Sequence, residues 1–325
     1  MTARHQPGRP SRAAHPDGAS SHGLDRVDSV DGVEEFEAER ARLAGLAYRL
    51  TGSLADAEDV VQETWVRWQL ADRSTIERPA AWLTTVASRI GLDRLRSRQR
   101  ERADYVGPWL PEPLVIGADH ADPALATELS DSLTTAFLLV LEQLDPVERL
   151  VVLLADVFDQ PFSAVAEVTG KAEPACRQIA VRARRKIRST ASGHVPSGGA
   201  DARRLANGFA AAALAGDVPA LLELLAPTVV LVSDGGRERH AARRPVVGPG
   251  RVSRFLVNVA KRLPPDCTFE AVWVNGAPGV IARSRGELLF LQSIHVVSGR
   301  IERIELIVSP VKLAVLDRRP RLDVR

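Results

Sequence analysis

The densest chemistry in the sequence is basic: Arg177, Gln178, Arg182, Arg184, Arg185 and Lys186 follow closely behind Glu173. Guanidinium and amide groups at that density suit phosphate oxygens and base edges, where Arg and Gln make paired hydrogen bonds. A second run is acidic and polar: Asp56, Glu58, Asp59, Gln62 and Glu63. A third is basic again, Arg94, Arg96, Arg98 and Arg100, with Ser97 among them and Trp82 upstream. Opposite signs on one short segment suit two partners, a protein and a nucleic acid. Trp82 could stack on an unpaired base or fill a core. Acid–base groups are sparser, with Asp234, His240 and His295 towards the carboxy terminus. Isomerase-type chemistry wants a carboxylate base and a donor to the developing oxyanion, commonly Tyr, yet Tyr48 and Tyr105 both fall outside that region. Asp234 before two glycines is more simply a turn at a strand end, and His295 on an alternating strand a packed or surface residue. Catalysis is not expected.

These groups need elements to hold them. Phe162 to Lys171 describes a short helix, opened by Ser163 as cap and stopped at Gly170, where glycine takes a left-handed turn freely. A second helix starts near Glu173-Pro174, with Cys176, Ile179, Ala180, Ala183 and Ile187 inward and the basic residues outward. Two helices about a glycine turn, the second basic, form a helix-turn-helix that reads a major groove. Glu173, Arg177 and Gln178 should meet base edges and the later basic residues phosphate, the alternative being a solvated basic face. Upstream, Asp145-Pro146-Val147-Glu148 reads as a helix start. From Val33 to about Arg102, apolar residues at helical spacing predict three helices. The first ends at Gly52-Ser53, the second begins near Asp56 as its cap, and the third spans about Pro79 to Arg100. Pro108, Pro111, Pro113 and Pro123 predict a linker, and a second break falls at Ser192 to Gly199. Beyond it, helices near 201–215 and 218–225 precede strands near 229–232, 268–274, 280–284, 288–297 and 301–307, an α+β pattern.

The 325 residues accommodate two or three domains. The expected division is a disordered tail over 1–30, a helical domain over 31–104, a linker over 105–124 and a second helical domain over 125–191. A linker over 192–200, an α+β domain over 201–318 and a tail over 319–325 complete it. With 43 Lys+Arg against 41 Asp+Glu, a nucleic-acid surface must come from segregated charge rather than excess. Cys176 and Cys267 lack the clustered partners of a zinc site or disulfide framework, so no metal or cofactor is expected. No apolar run reaches the ~18 residues that span a bilayer, and no signal peptide opens the chain. A soluble, cytoplasmic protein without a membrane partner is expected.

Several motifs, in order, resemble the extracytoplasmic-function (ECF) class of sigma-70 family RNA polymerase sigma factors. Asp56 through Trp65 is similar to the region 2 helix that docks on the β′ clamp coiled coil of core polymerase. Trp82-Leu83 and Leu92 through Ser97 resemble the part that melts and reads the minus-ten element. Asp145-Pro146 through Lys186 resembles region 4, whose helix-turn-helix reads the minus-thirty-five element and which meets the β flap. The remainder is similar to a subgroup that adds a SnoaL-like, ketosteroid-isomerase-like α+β cone. Trp109-Leu110-Pro111-Glu112-Pro113-Leu114 matches its linker motif, and Ala241 through Gly248 a run in its extension. Two motifs depart: Asp-Gly-Gly-Gly-Lys is here Asp234-Gly235-Gly236-Arg237-Glu238, and Asn-Pro-Asp-Lys-Leu is Ser309-Pro310-Val311-Lys312-Leu313. Region 4 also carries Ala172 where a capping Ser is usual and Val181 where His is common.

The resemblance implies two all-α domains followed by the cone. It implies core-polymerase contacts at Asp56, Glu58, Asp59, Gln62 and Glu63, and minus-ten contacts at Trp82, Arg94, Arg96, Ser97, Arg98 and Arg100. Minus-thirty-five contacts fall to Glu173, Arg177, Gln178, Arg182, Arg184, Arg185 and Lys186. Trp109, Pro111, Glu112, Pro113, Asp234, Gly235, Gly236, Arg237, Pro310, Lys312 and Leu313 become regulatory, through packing of the cone on the promoter-binding domains. A small ligand in the cone is left open as a further partner beside polymerase and promoter DNA. The rivals are a DNA-binding regulator that never touches polymerase, and a cone that transforms a small molecule.

Overall fold

The structure, a computed structural model, describes residues 24–102, 105, 107–117, 135–190 and 200–317. The first domain is built from α1 (Leu24–Thr51), α2 (Leu54–Leu70) and α3 (Pro79–Arg102). Helix α1 begins before Val33, inside the stretch expected to be a tail. Gly52 turns the chain at φ 68°, a conformation a Cβ disfavours. Ser53, not Asp56, then caps α2: it is extended, with φ −130° and ψ 127°, and its side chain accepts from the Asp56 amide. Asp56 is already inside the first turn, so its own amide is one of those being capped.

The second domain comprises α4 (Thr135–Leu141), α5 (Pro146–Val152) running into a π turn at Leu153–Val157, α6 (Phe162–Thr169) and α7 (Glu173–Thr190). Asp145 and Glu148 form the reciprocal capping box, with Pro146 in the first turn. Gly170 closes α6 at φ 66°. The expected Ser163 cap is absent, because α6 starts two residues earlier, behind Pro161, leaving Ser163 within the helix.

The two helical domains are one packed body. Leu50, Leu83 and Leu95 of the first share a core with Leu138, Leu150 and Leu154 of the second. Arg149, 1 % exposed, fastens them. Its Nη1 donates to the Leu50 carbonyl at 2.8 Å and its Nε to that of Leu141 at 2.9 Å, while Glu142 lies 2.8 Å from its guanidinium. Across the same junction Arg89 donates to the Glu167 carbonyl at 2.9 Å, tying α3 to α6.

The third domain comprises α8 (Ala200–Ala215), α9 (Val218–Leu224), β2 (Leu225–Asp234), β3 (Val246–Val247), α10 (Pro249–Ala260), β4 (Thr268–Val274), β5 (Ala277–Ser284), β6 (Glu287–Val297), β7 (Arg300–Ile307) and α11 (Pro310–Asp317). Helices α10 and α11 and strand β3 were not expected from sequence. α10 was obscured because its buried Val252, Leu256 and Val257 fall in a stretch broken by Gly248, Pro249 and Gly250. The sheet has seven strands, ordered β1-β4-β5-β6-β7-β2-β3. Its edge strand β1 (Val115–Gly117) falls within the expected linker, paired antiparallel with β4 as Val115↔Val274 and Gly117↔Val272. That part of the linker is therefore corrected to a strand of the third domain's sheet. Ile294, Ile304 and Leu231 line the face beneath α8 to α10. The opposite face carries Val232, Leu291 and Ile307 against Leu110 of the linker and Leu313 of α11. Segments 118–134 and 191–199, with Pro123 and the second expected break, lie outside the described residues, as do 1–23 and 318–325.

Candidate nucleic-acid and polymerase interfaces

Helix α2 exposes Glu58, Asp59 and Gln62, with Glu63 half-buried beside them. The same face continues into Val66, 47 % exposed, and Leu70, 82 % exposed. An acidic patch extended by unpartnered apolar side chains is the composition of a protein-docking surface. Sequence reading missed Val66 and Leu70, although their spacing from Gln62 would have found them. Asp56 is corrected: it is buried, its carboxylate 2.5 Å from Arg98 Nε, and unavailable to a partner. That pair also engages Arg98 of the expected minus-ten set, which is half-buried.

On α3, Arg96 and Arg100 are exposed, with Arg94 and Ser97 half-buried. Arg94 lies 3.3 Å from Asp59 and Arg96 lies 3.1 Å from Asp93, exposed pairs that cost little to break. Trp82 packs its ring 5.4 Å from that of Trp68 and joins the helical core. Its remaining exposed part is all it can offer to a base.

Helix α7 buries Cys176, Ile179, Ala180 and Ala183 and exposes Arg177, Gln178, Val181, Arg182, Arg185, Lys186 and Arg188. Glu173 and Arg177 pair with each other, and the Arg177 guanidinium sits 5.6 Å above the Phe162 ring. Two expected phosphate contacts also pair within the chain, with their own side chains still partly exposed: Arg184 donates to Asp156 at 2.9 Å, and Lys186 lies 2.6 Å from the largely buried Glu148. Both pairs join α7 to the rest of its domain, over sequence separations that helical periodicity does not register. The other exposed side chains of α7 are Gln178, Val181, Arg182, Arg185 and Arg188. Val181 offers methyl groups, which suit a thymine methyl.

The linker is a latch. Glu112 reaches the start of α2, accepting from the Leu54 amide at 2.7 Å and from Ser53 Oγ at 3.0 Å, while its own amide donates to the Gly52 carbonyl at 2.9 Å. A carboxylate there satisfies free amides and meets the positive end of the helix. On the cone side, the buried Asp234 takes four donors: Tyr105 Oη at 2.6 Å, the Gly236 amide at 3.1 Å, the Leu110 amide at 2.8 Å and Lys312 Nζ at 2.6 Å. Lys312 also donates to the Leu110 carbonyl and sits 4.4 Å over the Trp109 ring. Asn275 completes the grip: its amide donates to the Leu114 carbonyl at 2.9 Å, and its Nδ2 to Tyr48 Oη at 2.8 Å. Tyr48 in turn donates to the Glu112 carbonyl at 2.6 Å. Of the residues expected to regulate, Trp109, Glu112, Asp234, Gly236 and Lys312 meet in this one cluster, and Leu313 packs in the core beneath it. Pro310 opens α11, whereas Arg237 is exposed on a neighbouring loop. Removing the Glu112 carboxylate (Glu112→Ala) should cost about 1–2 kcal/mol, of the order of other helix caps, read as a lower denaturant midpoint.

Residues 36–101 match the family Sigma-70 region 2, and residues 134–187 the family Sigma-70, region 4. The ECF RNA polymerase sigma factor SigJ of Mycobacterium tuberculosis is 44% identical over 251 residues, 76% of this chain and 80% of that protein. The chain belongs to the ECF RNA polymerase sigma factors. A probable ECF RNA polymerase sigma factor of the same organism, SigI, is 33% identical over 86% of this sigma factor and 93% of its own length. The crystal structure of M. tuberculosis SigJ matches with a TM-score of 0.69 at 37% identity, covering 87% of this sigma factor and 98% of that chain. At that coverage the likeness takes in the α+β domain as well as the helical ones.

One premise about the sigma factor's third domain is overturned. Tyr48 and Tyr105 lie outside it in sequence, but the fold brings both hydroxyls to it. They are consumed there in structural bonds, and burial pushes the Tyr48 hydroxyl above the ordinary phenol range. Asp234 has donors on both oxygens, filling a carboxylate's acceptor sites. His240 is on an exposed loop. His295 is buried, 3.2 Å from Glu305, and faces Arg303 of β7, where Asp234 faces Ile307. Four residues of strand, roughly 13 Å, separate them, so the acid–base groups do not converge. Burial alone would raise the Glu305 carboxyl, but His295 and Arg303 outweigh it and hold its pKa at about 2. A depressed carboxyl adds stability above its unfolded pKa and loses it as pH falls towards the folded value. Acid unfolding followed by circular dichroism should therefore steepen between pH 4.5 and about 2, and Glu305→Gln should flatten that part of the profile.

Among the described residues no helix is long and apolar enough to cross a membrane, and no group of three or more His, Cys, Asp or Glu could hold a metal ion.

Proposed function

We propose that this sigma factor docks on the β′ clamp coiled coil of core RNA polymerase through Glu58, Asp59, Gln62 and Glu63 of α2, with Val66 and Leu70. It reads the minus-ten element with α3 and the minus-thirty-five element with Gln178, Val181, Arg182 and Arg185 of α7, while region 4 meets the β flap. The third domain is a regulator rather than an enzyme, and the arrangement described here is the closed one. The observation that carries this reading is the double grip of the linker, on the amino end of α2 through Glu112 and on the cone through Asp234 and Lys312.

The shared helical core supports it. The two promoter elements lie about 25 base pairs apart by their names, roughly 85 Å of duplex at ~3.4 Å per base pair. Helix α7 has 18 residues, about 27 Å, and its domain is packed on α3, so both elements cannot be read until region 4 swings away. The control is limited to the cone's preference for the closed over the open arrangement, about 1–3 kcal/mol in typical couplings.

Transcription in vitro with core polymerase, on a promoter found by selection, tests the reading. The full chain is compared with one cut after Gly198. Initiation by both, stronger for the shorter chain, is expected. Failure of both to bind polymerase would leave a polymerase-independent regulator. Within α7, Gln178→Ala should cost about 1–3 kcal/mol at one base pair, whereas Arg185→Ala should weaken all sequences alike and lower the salt slope by about one. Equal profiles for the two variants would remove the groove assignment.

A further inference from the structure

Two cations of the reading helix are tied down from opposite flanks. Lys186 Nζ lies 2.8 Å and 2.6 Å from the two carboxylate oxygens of Glu148, in the first turn of α5. One of those oxygens also accepts from the Asp145 amide at 3.2 Å, so the pair is built into the capping box. At the other end of the same helical stretch the Arg184 guanidinium spans both oxygens of Asp156, which the π turn presents, with its Nε at 2.9 Å. Successive residues of an α-helix stand about 100° apart around its axis. With Arg185 at the middle, Gln178, Val181, Arg182 and Arg188 fall within about 60° of it, whereas Arg184 and Lys186 stand about 100° to either side. Beyond those two lies the buried arc of Cys176, Ile179, Ala180 and Ala183.

We propose that Lys186 and Arg184 are positioning residues for promoter reading: their two carboxylate braces fix the rotation of α7 about its own axis, and so decide which side chains face the base edges. A lysine that moved onto a phosphate would have to give up its brace. Only 10 % of the Glu148 side chain is exposed, so that move would strand a largely buried carboxylate. Rotation matters because reading is short-ranged. At the ~5–6 Å radius of a helix with its side chains, a roll of about 20° carries a side-chain tip about 2 Å, enough to break a hydrogen bond to a base edge. Braces on both flanks oppose rolling in either direction, which one brace does not. All four residues belong to the second helical domain, so the braces travel with α7 when region 4 swings away. This role rests on the groove assignment of α7 above.

The test is binding of the full chain with core polymerase to the selected promoter and to its single-base variants in the minus-thirty-five element, across a salt series. Glu148→Gln keeps the lysine and the helix start, since Gln also serves at that capping-box position, but removes the charge that holds Lys186. Discrimination between the correct and the altered bases should fall about fivefold or more, with the salt slope unchanged. Lys186→Met should do the same, Lys186→Arg should restore the discrimination, and Asp156→Asn should reproduce the loss from the other flank. A phosphate-contacting Lys186 gives the opposite pattern. Lys186→Met then lowers the salt slope by about one with discrimination intact, and Glu148→Gln, by freeing the cation, tightens binding to all sequences alike. Either result overturns the proposal, and so does intact discrimination in Glu148→Gln. If Lys186→Met unfolds, as circular dichroism would show, the two carboxylate variants still decide. The groove assignment fails separately, when Arg185→Ala leaves both affinity and salt slope as in wild type, and the positioning role falls with it.

Discussion

Replacing Asp59 and Glu63 by Lys should abolish binding to core RNA polymerase while leaving the chain folded. Asp59 is exposed and Glu63 half-buried, and their intramolecular partners are surface ones: Arg94 at 3.3 Å from Asp59 and Arg67 at 2.7 Å from Glu63. Losing such pairs costs about 0–1 kcal/mol each, which a folded domain tolerates. At a protein interface the same reversals juxtapose like charges, at several kcal/mol, or a loss of more than about a hundredfold in affinity. Equilibrium binding to labelled core polymerase reads the effect, and circular dichroism checks the fold. Retained affinity would remove α2 as the docking helix. The contrast with Asp56 sharpens the test. Asp56→Lys should unfold the α2–α3 contact, because it places a second cation beside the Arg98 guanidinium that the carboxylate now neutralises.

The second large effect is expected at the latch. Lys312→Ala leaves the Asp234 carboxylate, which is 0 % exposed, without its cation and the Leu110 carbonyl without a donor. Removing one partner of a buried pair costs about 3–5 kcal/mol, since the remaining charge stays desolvated. The linker has a cheaper way out, which is to let go. Release exposes Asp234 to water and withdraws Glu112 from α2, so the loss appears as opening rather than global unfolding. Faster hydrogen exchange at the Leu110 amide and altered transcription relative to wild type are the expected readouts. Replacing both partners, Asp234→Leu with Lys312→Met, removes the stranded charge and should recover part of the stability while the Tyr105 and Leu110 bonds stay lost. Slow exchange and unchanged transcription in Lys312→Ala would mean the pair is structural only.

Much of this architecture is legible along the chain because its signals are local. Helical apolar spacing, the Asp145 to Glu148 capping box, the glycine at position 170 and the change to β-rich segments after the second helical domain are each decided within a few residues. The three-part division follows from such runs, whereas the class of molecule follows from the resemblance of the motifs they carry. What they could not show is which charged side chains are free. Arg98 pairs with Asp56, Arg184 with Asp156 and Lys186 with Glu148, over 42, 28 and 38 residues of sequence. Periodicity places a residue on a face but does not say what is packed against that face. The same limit hid the linker's role. Its prolines announce a break in helix, and only the third domain's open sheet edge turns its end into β1 and its Glu112, Leu110 and Trp109 into a clamp. Tyr48 and Tyr105, remote in sequence from the cone, reach it because Asn275 and the buried Asp234 are only partly satisfied by their own domain, which gives Asp234 the Gly236 amide and Lys312. The elements and the chemistry they carry depend on neighbours along the chain and are readable there; which of that chemistry is left for partners depends on packing, because burying a charge or a backbone amide commits it to whatever the fold brings within hydrogen-bond reach.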